Sequence, residues 1–445
     1  MNPASEVSRR AALRAGAAIV AAPGLITVHA AGGPVNYGVI GLGSYGTYLS
    51  FHLAQFDTGR CAALCDVDQA AMDHAGKLVT TNPKKYKDYR DLLGDTNVDA
   101  VVIVTPLHLH FQMTRDAVLA GKHVYCENSL VFKADEVHAL RALAADHGKQ
   151  ILQVGLERRY SSYFQDVKKM IDGGVLGTVT HIQAQWHRNP GWTMKAGGKD
   201  NARNWRLFRD YSGGLAAELA THHIDVANWF FGASPEFVVG VGGLDYRKDG
   251  RDVFDNIQLI YNYPGGRKLT YSAISTCQHL PMLASQRPQE GLVVMGTAGA
   301  VELTFGVNEA LPTALWFREP DPAEKNPGPQ KGMPIMTPLT EVDWNNDSFL
   351  TREAKSARMW LYEKGLMLAQ EESNPIDAQL ASFLRDVRGG GRPRADLEVG
   401  LAASAAAILS NLAMDENRRV FFKEMETLGV AAPAPSVPPK PLSEP

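Results

Sequence analysis

The sequence predicts an α/β protein in two parts: an N-terminal doubly wound parallel sheet, then an α+β domain on a large, mostly antiparallel sheet. Three observations carry this. Residues 35 to about 155 alternate short apolar runs with helix-compatible segments, the pattern of linked βαβ units. The first run ends in Gly41-x-Gly43-x-x-Gly46. From about residue 158 the rhythm changes to strand-like runs separated by Gly- and Pro-bearing turns, which reads as a meander.

In chain order, the parallel runs are Asn36–Ile40, Cys61–Cys65, Ala100–Val104, His123–Cys126 and Ile151–Val154, with helical segments such as Phe111–Ala120 and Asp135–His147 between them. The second part opens with a helix near Tyr163–Gly173. Its strand-like runs are Val179–Trp186, Glu236–Val241, Phe254–Tyr263, Lys268–Ser275, Gly291–Gly296 and Ala300–Thr304, interrupted by a helix at Ala216–Phe231. Residues 306–346 are rich in Pro, Gly and charge and read as a long loop. Two helices return near Ala378–Arg388 and Leu397–Ala413. Six prolines in 431–445 predict a disordered tail.

The glycine pattern has a physical reading. Gly41 permits a tight turn, Gly43 lets a pyrophosphate approach the backbone, and Gly46 lets the helix pack close on the strand. The helix N-terminus, at Ser44 and Tyr45, offers free N–H groups to phosphates. The second run ends at Asp66, about twenty residues beyond the last glycine, where a ribose-binding acid is expected. Its charge repels a 2′-phosphate and no Arg follows it, so NAD is expected rather than NADP.

Ser8-Arg9-Arg10 precedes an uncharged, Ala-rich stretch with small residues at Ala30 and Ala31. Residues 1–31 therefore read as a twin-arginine signal, with Ala12 where Phe is common. Export through the twin-arginine translocase to the periplasm follows as an expectation. Beyond the signal, no segment reaches the ~18–20 uninterrupted apolar residues of a membrane span, so a soluble mature protein is expected. The net charge is −3 and no basic stripe suggests nucleic acid. The four cysteines, Cys61, Cys65, Cys126 and Cys277, form no Cys-x-x-Cys pair. His108 and His110 lack a completing carboxylate or thiol, so no metal is expected.

Several segments in order resemble the glucose–fructose oxidoreductase / inositol dehydrogenase / rhizopine catabolism family, Gfo/Idh/MocA. They are the glycine loop, Thr105-Pro106-Leu107-His108-Leu109-His110, Gly121-Lys122-His123-Val124-Tyr125-Cys126-Glu127, and Gln153-Val154-Gly155. Gly213-Gly214 followed by Glu218-x-x-x-His222-x-x-Asp225, and Pro393-x-Ala395-Asp396, complete the match over about Val35–Ala413. The resemblance implies a Rossmann domain at 35–156, a substrate and oligomerisation domain at 157–430, a nicotinamide between them, and a dimer or tetramer formed through the open sheet face. It implies an NAD-dependent oxidoreductase acting on a sugar, polyol or glycoside with tightly bound cofactor. A glycoside hydrolase or lyase using transient oxidation is the alternative, and a non-catalytic sugar- or nucleotide-binding protein the second. The tight binding follows from export of a folded protein to a compartment without an obvious cofactor pool.

One departure affects mechanism. The family usually has Lys-Pro after the glutamate; this chain has Asn128-Ser129. Asn can orient a hydroxyl but cannot titrate. By the resemblance, His222 contacts the substrate hydroxyl and nicotinamide. Glu218, four residues earlier on the same helical face, is expected to orient it and raise its basicity. His223 points about 100° away and is open between a site and a core role. Thr105, Pro106, His110, Glu127 and Asn128 are expected along the cofactor groove. His187, Arg188, Trp192, Trp205 and Arg206 suit a sugar pocket, because Trp faces stack on C–H surfaces and Arg binds hydroxyls. Tyr160 joins them by analogy with the family.

Overall fold

The computed structural model describes residues 33–188, 192–276, 290–304, 313–318, 366–371 and 373–430. The export signal read at 1–31, Cys277, most of 306–346 and the tail at 431–445 lie outside these described residues.

The first sheet holds β1 (Val35–Ile40), β2 (Gly59–Cys65), β3 (Lys84–Tyr86), β4 (Ala100–Ile103), β5 (His123–Cys126) and β6 (Leu152–Val154). Their order is β3-β2-β1-β4-β5-β6, and every pairing is parallel. Strands covered on both faces need continuous apolar runs, and all four residues of β4 are buried. The winding reverses between β1 and β4, so their C-terminal ends flank a crevice suited to a ligand. Helix α1 (Ser44–Leu53) starts there. Helices α2 (Gln69–Gly76), α3 (Tyr89–Leu93), α4 (His110–Leu119) and α5 (Ala134–Asp146) complete the domain. β3 is only Lys-Lys-Tyr, with no apolar run to reveal it.

A 3₁₀ turn, Glu157–Arg159, and helix α6 (Ser162–Asp172) lead into the second sheet. Its strands are β7 (Val179–Trp186), β8 (Phe237–Gly243), β9 (Asn256–Asn262), β10 (Lys268–Ile274), β11 (Glu290–Gly296), β12 (Gly299–Thr304), β13 (Thr313–Arg318), β14 (Leu366–Gln370) and β15 (Val420–Phe421). The order is β14-β13-β12-β11-β7-β10-β9-β8-β15; among the described residues only β7 and β10 pair in parallel. β13 corrects the expectation of a continuous loop over 306–346. Its six residues pair with β12, a short strand hidden by the Pro, Gly and charge around it.

Period-2 alternation gives this sheet one dry face. Ile257, Leu259 and Tyr261 of β9 point inward, as do Ile182 and Ala184 of β7. They meet α7 (Thr221–Phe231) and α9 (Leu397–Asp415) in one core. Ile260 is 44% exposed on the opposite face. Helix α8 (Pro375–Gly389) returns to the first domain, where Leu380, Phe383 and Leu384 pack with Tyr37, Leu49 and Tyr125.

Helix α9 is long and apolar enough on average to cross a membrane, but Glu398, Ser404, Ser410 and Asn411 interrupt it, so it is not an uninterrupted apolar run. Its alanines and leucines instead sit in the core, with Leu401, Ala403, Ala406 and Leu409 fully buried.

Candidate active site

The glycine loop lies at the end of β1. Gly41 has φ +91°, and a Cβ there would sit 2.7 Å from the Val104 carbonyl oxygen. At Gly46 a Cβ would lie 1.9 Å from the Gly41 carbonyl oxygen, so the helix can approach the strand only without one. At Gly43 a Cβ would meet nothing within 4 Å, so space is open above the loop. No side chain caps α1, leaving the N–H groups of its first turn, at Ser44 and Tyr45, for a ligand. Asp66 braces this turn: Oδ2 accepts from Leu42 N at 2.6 Å and Oδ1 from Asp68 N at 2.9 Å. Each carboxylate oxygen keeps a lone pair for a ribose hydroxyl. These features fit a dinucleotide. Half-buried Thr105 and Pro106 follow β4, and the Thr105 methyl group lies beside Gly41 of the same loop.

His110 is buried rather than lining the cofactor groove as expected. The ring is 2% exposed, with Nδ1 2.7 Å from the Ser129 carbonyl oxygen and Nε2 2.8 Å from that of Thr105. Burial holds its pKa down. Its task is to tie the turn after β4 to the turn after β5.

Glu127 and Asn128 follow β5. Tyr125 donates its hydroxyl to Glu127 Oε1 at 2.7 Å, and Asn128 N donates to Oε2 at 3.2 Å. Gly155 makes room for this carboxyl, because a Cβ there would come within 2.5 Å of Oε2. Burial pushes the Glu127 carboxyl up to about 8, and the charge of Glu157 adds to the effect. Asn128 Nδ2 donates to Thr221 Oγ1 at 2.6 Å. Its buried Oδ1 has no hydrogen-bond partner among the described residues.

His222 lies in the first turn of α7, which is entered through a π-helical turn at Ala216–Ala220. Such wide turns recur at functional sites. Glu218 lies within this turn and does not take the expected place beside His222. Arg206 Nε donates to Glu218 Oε2 at 2.9 Å and Ser212 Oγ to Oε1 at 3.2 Å, so the carboxylate is already engaged. The carboxylate against His222 is Glu157, with Oε2 3.3 Å from Nδ1. Although burial opposes its charge, His222 and Arg158 hold Glu157 well below the usual carboxylate range.

The turn at Glu157–Arg159 is clamped to α7 twice. Residues two apart in the turn meet residues three apart on one helical face. Glu157 meets His222, and Arg159 makes a bidentate pair with Asp225 at 2.7–3.0 Å. Arg158 turns inward to Glu290 and stands 3.2 Å from Glu157. His223 belongs to this buried cluster. It is fully buried, 3.3 Å from Glu290, with its ring 5.4 Å from that of Tyr271 and its pKa pushed well down by burial. The structure thus assigns it to the core.

Four of the expected pocket residues converge. The guanidiniums of Arg188 and Arg206 stand 5.1 and 5.5 Å from the Trp192 ring, and Arg206 lies 4.1 Å over Trp205. His187, at the end of β7, is buried. Tyr160 departs from the expectation: it is 6% exposed and its hydroxyl accepts from Ala395 N at 3.3 Å, so it joins α9's approach to the first domain. Sequence reasoning missed Glu157, Arg158, Glu290 and Thr221. The position of Glu157 just beyond β6, at the ligand-binding edge of a parallel sheet, was the available signal.

A parallel sheet wound 3-2-1-4-5-6, an uncapped helix at its switch point and a second, mostly antiparallel sheet define a two-domain, nucleotide-binding α/β protein. Models of one family match both domains: the oxidoreductase family, NAD-binding Rossmann fold, over 35–156, and the GFO/IDH/MocA C-terminal domain over 164–302. The chain belongs to the GFO/IDH/MocA family, and its first domain binds NAD.

Among curated relatives, the inositol 2-dehydrogenase/D-chiro-inositol 3-dehydrogenase of Lactiplantibacillus plantarum is 30% identical over 200 residues, covering 43% of this chain and 51% of the relative. The first curated relatives are matched over 38–56% of their own length. Two solved structures share the fold. Scyllo-inositol dehydrogenase from Lactobacillus casei, with bound NAD(H) and scyllo-inositol, aligns at TM-score 0.61 and 18% identity over 88% of this chain and 99% of that one. Aldose-aldose oxidoreductase from Caulobacter crescentus, complexed with glycerol, aligns at 0.65 and 20% over 87% and 99%.

Proposed function

We propose that this protein oxidises a carbinol of a sugar, polyol or glycoside and keeps its NAD bound throughout the cycle. The observation that carries the reading is His222, with a carboxylate at its Nδ1, near the unpartnered carbonyl of Asn128. Bound NAD supplies the electron acceptor. Asn128 Oδ1 accepts from the substrate hydroxyl and aims it. His222 takes the hydroxyl proton, and Glu157 offsets the resulting imidazolium charge. Trp192 and Trp205 present flat apolar faces to sugar C–H groups, while Arg188 and Arg206 donate to hydroxyls. The inositol dehydrogenases among the relatives support a polyol substrate. The signal read at 1–31 supports periplasmic export and retention of the cofactor.

A second reading, glycoside cleavage without net redox change, rests on Glu127. A carboxyl held protonated to about 8 beside the non-titrating Asn128 is suited to protonate a leaving group.

One experiment addresses retention and another the reaction. Denaturing the freshly purified protein should release about one NAD(H) per chain by chromatography; apo protein would end the retention argument. A panel of sugars and glycosides then separates the reactions. Growth of reduced-nicotinamide absorbance, or sugar-to-sugar exchange, supports oxidoreduction. Aglycone release without either supports cleavage. Binding with neither outcome leaves a binding protein.

A further inference from the structure

We infer that Glu157 is a positioning residue that makes His222 the proton acceptor of this site, in place of the lysine that Asn128 replaces. The inference rests on the oxidoreductase reading above and goes beyond it in assigning to Glu157 the tautomer and orientation of the base.

The site has few alternatives. Asn128 cannot take a proton, and its amide nitrogen is committed to Thr221. Glu218 is engaged by Arg206 and Ser212. Glu157 Oε2 stands 3.3 Å from His222 Nδ1, within ion-pair range but short of hydrogen-bond geometry, a contact of the kind that tightens when a site is occupied. The pair is held from outside itself. The Arg159–Asp225 fork fixes the turn against α7, and Asp225 is 1% exposed.

Arg158 stands beside Glu157 and favours its ionised form, while Glu290 takes the inner side of the same guanidinium. The other groups within electrostatic reach of the pair are Glu127, Glu218, Glu290, His223, Tyr45, Tyr125 and Tyr163. Glu127 is held protonated, Glu218 and Glu290 each face an arginine, and His223 is kept neutral by burial. Glu157 is thus the carboxylate available to act through His222. With its proton on Nδ1, facing Glu157, the ring presents a bare Nε2. The substrate O–H bond breaks, an Nε2–H bond forms, and the positive charge on the ring faces Glu157.

Two measurements test this. The ¹⁵N shifts of the His222 ring show which nitrogen carries the proton, without substrate. The native protein should show the Nδ1–H form and Glu157→Gln a mixture, with Glu157→Asp restoring the native pattern. On substrate, Glu157→Gln should lower kcat by roughly 10–10³-fold with KM little changed. Glu157→Asp should recover part of the rate. An unchanged tautomer and an unchanged kcat in a folded Glu157→Gln protein would overturn the inference. If no sugar is turned over, the oxidoreductase reading fails, while the tautomer measurement still decides the role of Glu157.

Discussion

Asn128 Nδ2 donates to Thr221 Oγ1 at 2.6 Å, joining the end of the first sheet to the first residue of the helix that carries His222. The Thr221 hydroxyl donates in turn to the Ala217 carbonyl at 2.8 Å, and Ser129 Oγ reaches the same carbonyl at 2.7 Å. Where the family carries an ionisable group, this chain carries a bridge between two domains. The exchange removes a base and places a cross-domain hydrogen bond at the same position.

That bridge should be measurable. Thr221→Val keeps the shape but leaves the Asn128 amide without its acceptor, and loss of a buried partner costs about 1–3 kcal/mol. Urea unfolding should show a loss of that size, while Thr221→Ser should stay near the native value. Equal stability of the valine and serine variants would mean that the bridge adds nothing.

Asp66→Ala should weaken NAD binding by roughly 10–100-fold, the equivalent of about 1.5–3 kcal/mol for hydrogen bonds to a charged group. Preference over NADP should relax, because the charge opposing a 2′-phosphate is gone. Fluorescence titration with both nucleotides checks this. Part of the loss will come from the loop, since Leu42 N and Asp68 N lose their acceptor.

His222→Ala should lower turnover on the true substrate by roughly 10²–10⁴-fold, with melting temperature and NAD affinity close to native. Steady-state kinetics beside a thermal scan makes the comparison. Near-native turnover would put the base elsewhere.

Glu127 gives a signed dependence of stability on pH. Its folded-state pKa of about 8 lies above the ordinary carboxylate value, so the folded protein holds a proton that the unfolded chain releases. Stability from this group should therefore fall as pH rises from about 4.5, the value of an unperturbed glutamate, to about 8, and then level off. Glu127→Gln lacks the penalty. Its melting temperature relative to native should rise progressively between these pH values; a constant difference would contradict the assignment.

The open face of the second sheet should be an oligomer interface. Val241 is 68% exposed and Ile260 44% exposed there, beside a depression of about 610 Å³ that Gln183, Gln185 and Gln258 also line. Val241→Asp with Ile260→Asp should shift the native assembly toward monomer in light scattering after size exclusion. A monomeric native protein would remove this expectation.

Local pattern carried much of the architecture. Continuous apolar runs can be buried only between two layers, and glycines at 41, 43 and 46 mark a backbone that must turn and pack without Cβ atoms. Five of the parallel strands, the acid at Asp66 and the helix bearing His222 could all be read on that basis. β3 and β13 could not, because three polar residues, or six inside a Pro- and charge-rich segment, form a strand only when a neighbour supplies the hydrogen bonds.

Side-chain pairing belonged to the tertiary structure. Spacing along one helix put Glu218 beside His222, but spacing says nothing about competitors, and Arg206 arrives from a separate turn to take that carboxylate. Glu157 reaches His222 from 65 positions away because β6 ends where α7 begins its first turn. His110, Tyr160 and His223 are polar in sequence and buried in space; only the packing around them shows that carbonyls, an amide and an ionic cluster occupy their polar atoms. Sequence determined which groups this protein possesses and which backbone elements could carry them. The fold decided which of those groups stand within reach of one another, because electrostatic and hydrogen-bond energies depend on separations that no local pattern encodes.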